Sequence, residues 1–311
     1  MNVVISEFMD DAAVAWLAAK FVIRYDASLV DRHAALLESL ATADGLIVRN
    51  RTQVDRRLVS AAPRLKVVGR LGVGLDNIDV AACQERDIRV IPATGANALA
   101  VAEYVIATAM ILLRGAYGST TAVGRGDWPR AALSHGREID SKMLGVIGFG
   151  GIGRLTARHA RALGMKAVAF DPQIPADAAV WGQEQVSRRT LEELLATADV
   201  VTLHVPLTAA TRGLIDAARL ALMKPDAILI NTARGGIVDE AALGEALKCG
   251  KLGGAALDVF ATEPLPAASP LADCPRLILT PHIAGVTRES NLRVSTLIAS
   301  EVAAELERPQ L

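Results

Sequence analysis

Strand-like runs of aliphatic and β-branched residues alternate with helical patterns along almost the whole chain. Such alternation leaves few architectures open, because it is typical of parallel sheets covered by helices on both faces. Strands are predicted at Val3–Ser6, Phe21–Tyr25, Gly45–Val48, Leu65–Arg70, Arg89–Ile91, Leu144–Gly148, Ala167–Asp171, Val200–His204, Ala227–Asn231, Gly254–Leu257 and Leu277–Thr280. Helices are predicted, among others, at Val30–Thr42, Asn77–Arg86, Ala98–Arg114 and Arg288–Leu306. The predicted fold class is therefore α/β, with two doubly wound parallel-sheet domains.

Composition excludes several classes of function. A length of 311 residues, 51% of them hydrophobic, supplies the cores of about two domains. A net charge of -1 makes nucleic acid and membrane surfaces unexpected partners. The three cysteines lie far apart, so neither a metal site nor a disulfide framework is expected. The acidic N-terminal segment lacks the basic start of a signal peptide, and we expect a cytoplasmic protein.

A glycine motif opens the second half of the chain. In "GVIGFGGIGRLTARHARALGMKAVAFDP", Gly148, Gly150 and Gly153 follow the spacing G-x-G-x-x-G between a strand and a helix that starts near Ile152. These glycines permit a tight turn, the approach of a pyrophosphate, and close packing of helix on strand. Asp171 ends the next strand, where a carboxylate accepts hydrogen bonds from ribose hydroxyls and repels a 2′-phosphate. The motif predicts NAD rather than NADP; the alternative is a structural turn with a surface aspartate.

Three polar residues end or follow later strands of this block. Ligands of open α/β sheets bind at the carboxyl ends of the strands, and Arg234, Glu263 and His282 lie in loops at such ends. A histidine can exchange a proton near neutral pH, a carboxylate can orient it and favour its charged form, and an arginine can grip a carboxylate. Together they suit transfer of a hydride and a proton between a 2-hydroxy acid and NAD. The alternative is that these are solvated side chains and a capped turn.

The chain resembles the D-isomer-specific 2-hydroxyacid dehydrogenases over essentially its whole length. The matching stretches are "GRLGVGLDNID", "GANALAVAEY", "LGVIGFGGIG", "LHVPLTAATRGLI", "INTARGGIVDEAAL", "ALDVFATEPLP" and "LTPHIAG". The resemblance implies a catalytic set of Arg234, Glu263 and His282. The glutamate distinguishes the chain from the formate dehydrogenase branch, which carries an amide beside its histidine, so proton transfer is expected. Residues expected at the cofactor are Gly148, Gly150, Gly151, Ile152, Gly153, Asp171, Pro172, His204, Val205, Pro206, Thr211, Thr232, Ala233, Asp258 and Gly285.

Within that set the resemblance places Asp258, Thr232 and Ala233 on the nicotinamide side and the loop of Val205, Pro206 and Thr211 along the adenosine half. His204 ends a strand and is expected to contact the cofactor; the alternative is that it only lines the cofactor cleft. His33 and His159 lie in helical patterns and are expected to be structural.

The resemblance also implies the domain organisation. A discontinuous, flavodoxin-like substrate domain is expected at 1–95 plus 285–311, and an NAD-binding Rossmann domain at 96–284. The helix and loop near 98–139 are expected to form a homodimer, with Arg130 as a weak candidate for charge supplied to a neighbouring subunit. No added C-terminal regulatory domain is expected.

Arg49 and Arg51 suggest the substrate. They alternate after a strand, so in an extended chain both side chains point the same way and form an anion site. The backbone N–H groups of Val73 and Gly74 are candidates for the C1 carboxylate. In family members that oxidise phosphoglycerate, a matching arginine pair and an asparagine matching Asn97 serve the substrate. The alternative is that both arginines are surface charges or a latch for domain closure.

The predicted substrate is therefore a D-configured 2-hydroxy acid with a second anionic group at C3. The stretches "VVISEFMDDAAVAWL", "VRNRTQVD" and "GRLGVGLDNID" most resemble members that oxidise (S)-3-sulfolactate to 3-sulfopyruvate. D-3-phosphoglycerate, or reduction of glyoxylate or hydroxypyruvate, is the alternative. A different class, an NAD(H)-sensing protein similar to co-repressors of this fold, is not excluded by fold alone. The complete Arg–Glu–His set favours the enzyme.

Overall fold

The computed structural model describes residues 1–308 and forms two compact units. Unit 1 comprises Met1–Asn97 and Val286–Leu311, and unit 2 comprises Ala98–Gly285. The sequence predicts divisions at 95/96 and 284/285, within two residues of these. The last three residues of the predicted segment 285–311 lie outside the described residues.

The bounds of the regular elements are as follows. In chain order the strands are β1 (Asn2–Ile5), β2 (Val22–Tyr25), β3 (Gly45–Val48), β4 (Val67–Arg70), β5 (Arg89–Pro92), β6 (Met143–Ile147), β7 (Lys166–Phe170), β8 (Ser187–Arg188), β9 (Val200–Leu203), β10 (Ile228–Asn231), β11 (Gly254–Leu257) and β12 (Leu277–Leu279). The α-helices are α1 (Asp11–Ala18), α2 (His33–Leu40), α3 (Arg56–Ala61), α4 (Val80–Gln84), α5 (Ala98–Arg114), α6 (Thr120–Gly124), α7 (Arg130–Leu133), α8 (Gly151–Ala162), α9 (Val180–Gln183), α10 (Leu191–Thr197), α11 (Ala217–Leu220), α12 (Glu240–Lys248) and α13 (Arg288–Leu306). Short 3-10 turns span Leu29–Asp31 and Tyr117–Ser119.

Unit 1 is a five-stranded sheet in the order β2-β1-β3-β4-β5, with every pair parallel. This is the flavodoxin-like order, as predicted. All four residues of β3 are buried, which explains its unbroken apolar sequence. Helix α13 returns to cover the sheet at Gly69, where a β-carbon would lie 2.7 Å from both Ile298 and Val302. Glycine at that position lets the last helix pack close to β4.

Unit 2 is a seven-stranded sheet in the order β12-β11-β10-β9-β6-β7-β8, again wholly parallel. Numbered from β6, the order is that of a Rossmann fold with one added strand, and the predicted fold class is confirmed. The chain reverses its direction across the sheet where β6 lies beside β9, which is where such sheets bind dinucleotides. The glycine motif follows β6 directly.

Local structure differs from prediction in three places. The predicted helix Val30–Thr42 is interrupted at Arg32, which has φ -122° and ψ 68° and pairs with Asp26. The predicted helix at Asn77 begins only at Val80, because the Asp79 side chain caps it. Strand β8 was not predicted, since two exposed residues give no apolar pattern.

Helix α5 begins unit 2 and carries eight buried residues on one side. Among residues 1–308, no single helix has the length and apolar character to cross a membrane. Helix α5 and the segment Tyr117–Gly124 meet those requirements only as a pair, bent by 72°.

Candidate active site

The glycine turn has the geometry that its sequence predicts. Gly148 has φ +91°, and a β-carbon there would lie 2.5 Å from the carbonyl oxygen of His204. A β-carbon on Gly153 would lie 2.2 Å from the carbonyl oxygen of Gly148. Both contacts are with backbone, which cannot give way as a flexible side chain can, so these two positions require glycine for packing.

The middle glycines have a different surrounding. A β-carbon on Gly150 or Gly151 would meet no atom within 4 Å. The backbone is therefore open at the N-terminus of α8, where N–H groups and the helix dipole favour a phosphate. Beneath the turn, the buried Phe149 ring stacks on Trp181 with ring centroids 5.1 Å apart. The turn is thus supported from inside and open on its outer side, which fits the pyrophosphate of NAD.

Asp171 lies directly after β7 beside this turn. One carboxylate oxygen accepts a hydrogen bond from the backbone N–H of Phe149 at 2.8 Å, and the other accepts from Gln173 at 2.9 Å. Two backbone donors fix the carboxylate but leave lone pairs for ribose hydroxyls. The predicted ribose acceptor is therefore held against the glycine turn, and Pro172 next to it is exposed.

His204 follows β9 on the other side of the turn. Its backbone N–H donates to the carbonyl of Ile147 at 2.7 Å, and its Nε2 lies 3.1 Å from Thr202 Oγ1. Burial lowers the pKa of the His204 imidazole to about 4, so the ring is neutral at pH 7. In the loop that follows, the Thr211 hydroxyl donates to the carbonyl of Pro206 at 2.6 Å. Thr211 thus shapes the loop, and its contact with the adenosine half of NAD, like that of Val205, stays a prediction.

Glu263 and His282 form a hydrogen-bonded pair. His282 Nδ1 lies 2.8 Å from Glu263 Oε2, and both side chains remain accessible to solvent. The other carboxylate oxygen, Oε1, accepts from the backbone N–H of Phe260 at 3.0 Å, which fixes the carboxylate. With Nδ1 bonded to the carboxylate, Nε2 is the nitrogen left to exchange a proton.

The loop that carries His282 is held by Asp258. This carboxylate is 1% exposed and accepts three hydrogen bonds, from Thr280 Oγ1 at 2.6 Å, Ile283 N at 2.8 Å and Ala284 N at 2.7 Å. Its carbonyl accepts from the backbone N–H of His282 at 2.8 Å. His282 has φ +56°, a conformation that costs free energy in a residue other than glycine unless its surroundings hold it. Asp258 therefore fixes the loop of His282, and its predicted nicotinamide contact stays a prediction.

Tyr104 extends this network and was missed by sequence reasoning. Its hydroxyl lies 2.7 Å from Thr280 Oγ1, which in turn donates to Asp258. Tyr104 and Thr280 are 176 residues apart, so no spacing within a motif could connect them. The signal that was available is weaker: a tyrosine placed within the mostly apolar helix α5 needs a partner for its hydroxyl.

The loop after β10 carries Arg234. The Asn231 side chain holds this loop, donating to the carbonyl of Arg234 at 2.9 Å and accepting from the N–H of Ala233 at 3.0 Å. The Arg234 guanidinium donates to the carbonyl of Ala233 at 2.6 Å. Thr232 Oγ1 is buried and has no hydrogen-bond partner among residues 1–308, which fits a position beside a polar ligand.

The Arg234 loop lies against the segment that carries Glu263. A β-carbon on Gly235 would lie 1.8 Å from the carbonyl oxygen of Phe260, whose N–H donates to Glu263. The loops after β10, β11 and β12 therefore emerge side by side at one edge of the sheet. Gly285 closes unit 2 directly after Ala284, whose N–H Asp258 accepts. Unit 2 thus contains all three predicted catalytic residues.

In unit 1 the two arginines do not share a surface. The backbone bends at residues 50–52, so the alternation expected of an extended chain does not hold. Arg49 Nη2 donates to Asn291 Oδ1 at 3.0 Å, whereas Arg51 pairs with Asp31 in an exposed ion pair. The inference that both side chains point the same way is therefore wrong as geometry, because the chain leaves the strand conformation after Val48.

A buried carboxylate that sequence reasoning missed builds this bend. Glu7 is 5% exposed and accepts from the backbone N–H groups of Arg49, Arg51 and Thr52 at 2.8, 3.1 and 2.9 Å. Both of its oxygens are thus occupied by backbone donors. These bonds stabilise the bend, because without them the buried negative charge of Glu7 would lack hydrogen-bond donors.

The remaining unit 1 candidates have polar groups available. No residue within 1–308 accepts from the backbone N–H of Val73 or Gly74. Asn97 Oδ1 is buried without a partner in the same range. These groups fit a polar ligand, but their contact with substrate stays a prediction.

Comparison with known proteins agrees with this geometry. Residues 106–284 match the family model of the D-isomer specific 2-hydroxyacid dehydrogenase, NAD binding domain. An (S)-sulfolactate dehydrogenase of Chromohalobacter salexigens is 56% identical over 305 residues, covering 98% of each chain. A D-3-phosphoglycerate dehydrogenase of Methanocaldococcus jannaschii is 44% identical over 86% of this chain, which spans about half (50%) of that relative's length.

Solved structures give the same result. The TT0316 protein of Thermus thermophilus superposes with a TM-score of 0.89 at 35% identity, covering 99% of this chain and 97% of that one. A formate dehydrogenase of Staphylococcus aureus in complex with NAD has a TM-score of 0.83 at 29% identity, covering 100% and 97%. Fold and site together define an NAD-dependent oxidoreductase. The chain belongs to the D-isomer-specific 2-hydroxyacid dehydrogenase family, and its cofactor is NAD.

Proposed function

We propose that this enzyme oxidises (S)-3-sulfolactate reversibly to 3-sulfopyruvate with NAD. One observation supports this chemistry most directly. His282 Nδ1 lies 2.8 Å from Glu263 Oε2, in an accessible position after the NAD-binding strands. The choice of substrate is supported by the 56% identity, over 98% of each chain, to a protein named for that activity.

The proposed roles follow from hydrogen-bonding chemistry. NAD, when bound, supplies the acceptor for the hydride that leaves C2. His282 Nε2 takes the hydroxyl proton in oxidation and returns it in reduction, while Glu263 stabilises the resulting imidazolium through Nδ1. Arg234 binds the C1 carboxylate and polarises the oxygen on C2. The N–H groups of Val73 and Gly74 and the amide of Asn97 complete the substrate contacts.

Arg49 is the residue we propose to bind the sulfonate. Burial lowers the pKa of its guanidinium and outweighs the nearby Glu7 carboxylate, which raises it. No carboxylate among residues 1–308 forms a salt bridge with it, whereas Arg51 is neutralised by Asp31. A partly desolvated guanidinium without a carboxylate partner attracts a ligand anion more strongly than one that is already paired.

A homodimer in the cytoplasm is the proposed assembly. Exposed apolar side chains are concentrated in the predicted dimer segment, where Trp128 is 76% exposed and Met110, Ile111, Tyr117 and Val123 are also exposed. Such a concentration is typical of a protein interface. Sedimentation velocity should give twice the 32.7 kDa chain mass, and Trp128→Asp should shift the protein toward monomer. A wild-type monomer would contradict the proposal.

A panel of 2-keto acids tests the function. Oxidation of NADH is followed with 3-sulfopyruvate, phosphohydroxypyruvate, hydroxypyruvate, glyoxylate and pyruvate. The highest kcat/KM is expected with 3-sulfopyruvate; a higher value with phosphohydroxypyruvate would assign the enzyme to phosphoglycerate instead. His282→Gln should lower kcat for every substrate by about 10²–10⁴-fold, the usual contribution of a general acid–base.

Substitution of Arg49 tests the sulfonate contact separately. Arg49→Ala should lower kcat/KM for 3-sulfopyruvate by about 10- to 150-fold, because a hydrogen bond to a charged group contributes ~1.5–3 kcal/mol. The value for pyruvate, which has no distal anion, should fall much less. Arg56→Ala is the matched control, since Arg56 pairs with Glu85 on the surface of the same unit. An equal fall for both substrates in Arg49→Ala would refute this role.

A further inference from the structure

The two side chains that contact the Arg49 guanidinium, Asn291 and Phe8, are uncharged. Asn291, in the first turn of α13, is the one side chain among residues 1–308 that accepts a hydrogen bond from the guanidinium, at 3.0 Å. The ring of Phe8 lies on another side, with its centroid 5.8 Å from Arg49 Cζ. The Glu7 carboxylate is close enough to raise the pKa of the guanidinium, but its two oxygens accept hydrogen bonds from the backbone of the bend rather than from the guanidinium.

This arrangement leaves most of the donors of Arg49 available. A guanidinium has five N–H donors, and the described structure uses one of them on Asn291. The Asn291 amide oxygen orients the guanidinium without cancelling its charge. The aromatic face of Phe8 contributes a weak attraction that also leaves the charge uncancelled. Arg51 differs, because its guanidinium forms an ion pair with the negatively charged carboxylate of Asp31.

We propose that Asn291 determines the preference for doubly anionic substrates, by orienting the Arg49 guanidinium while leaving it charged and able to bind the distal anion. Asn291 is a positioning residue, since it acts through Arg49. The inference rests on the proposed function, in which Arg49 binds the sulfonate. It adds that the amide at position 291 is required because it is uncharged, and that a carboxylate of the same shape would compete with the substrate.

Asn291→Asp tests this directly. Aspartate preserves the shape and the acceptor oxygen, and it is tolerated near the start of a helix. It would convert the contact into an ion pair like that of Arg51. The measured quantity is the ratio of kcat/KM for 3-sulfopyruvate to that for pyruvate. We expect this ratio to fall at least about tenfold, mainly through KM, because the loss is of the size of one charge-assisted hydrogen bond. The melting temperature should not fall.

Asp31→Asn is the control, because it replaces the charged partner of Arg51 by a neutral amide. It should leave the ratio of kcat/KM values unaltered. If the ratio falls in Arg49→Ala but not in Asn291→Asp, the inference is wrong and the proposed function stands. A ratio unchanged in Arg49→Ala itself would overturn the assignment of the sulfonate to Arg49. Should Asn291→Asp fail to fold, Asn291→Ala replaces it, with an expected fall of about threefold from lost orientation alone; no fall would again overturn the inference.

Discussion

His204 gives unit 2 a dependence of stability on pH that one substitution removes. Burial lowers the pKa of its imidazole from 6.5 to about 4. The unfolded chain regains the ordinary pKa, so between pH 6.5 and 4 the unfolded state binds a proton that the folded state does not. The stabilising contribution of the neutral buried ring is therefore complete above pH 6.5 and is lost as pH falls toward 4.

The size of the effect follows from the two pKa values. Lowering the pH from 7 to 5 should remove about 2 kcal/mol of the free energy of unfolding, since one pKa unit corresponds to about 1.4 kcal/mol. His204→Gln keeps a neutral side chain that can hydrogen-bond Thr202 Oγ1 but cannot take up the proton. The loss of stability of this variant between pH 7 and 5 should therefore be smaller than that of the wild type by about 2 kcal/mol.

Urea unfolding at the two pH values, followed by tryptophan emission, measures this difference. Trp181 is 8% exposed and lies in unit 2 with His204, so its emission reports on the unfolding of that unit, whereas Trp16 in unit 1 is 44% exposed and should change less. The slope of free energy against urea should be the same in both proteins, which shows that they unfold from similar states. Equal losses of stability in wild type and variant would refute the reasoning, because the folded protein would then be shown to protonate His204 as readily as the unfolded chain.

Three further predictions concern the cofactor and the catalytic loop. Gly150→Ala should fold normally but bind NADH weakly, because its β-carbon meets open space on the cofactor side. Gly153→Ala should instead be destabilised, because its β-carbon would lie 2.2 Å from a backbone oxygen. Thermal melting and NADH titration distinguish these two effects, and equal melting temperatures for the two variants would contradict the packing argument. Asp171→Ser should raise KM for NADH and lower KM for NADPH, since the charge facing a 2′-phosphate is removed; an unchanged NADPH/NADH preference would place the adenosine ribose elsewhere. Thr280→Val should lower kcat with little change in NADH affinity and cost ~1–3 kcal/mol of stability, because it leaves buried partners unsatisfied. Wild-type kcat in that variant would show that the loop holds without the hydroxyl.

Much of unit 2 was predictable because its signals are local. The apolar run before Gly148, the glycine spacing and Asp171 lie within 28 consecutive residues, from Leu144 to Asp171, and short-range backbone geometry restricts what they can form. The alternation of strand and helix likewise predicts parallel sheets in both units, as observed. Element ends were less predictable: α2 begins only after Arg32, whose φ of -122° and ψ of 68° interrupt the predicted helix.

The contacts that orient the site were not predictable in this way. The two sheets, the nucleotide turn and the kinds of side chain that follow each strand could be inferred from the sequence, because these depend on periodicity and on residues adjacent in the chain. Three contacts depend instead on tertiary packing: Glu7 bends the chain at Arg49, Asn291 lies 242 residues away against the Arg49 guanidinium, and Asp258 holds the loop of His282. Each of these contacts is a hydrogen bond of a partly or wholly buried polar group. The partner of such a group depends on which segments packing brings together, and no local sequence pattern indicates it.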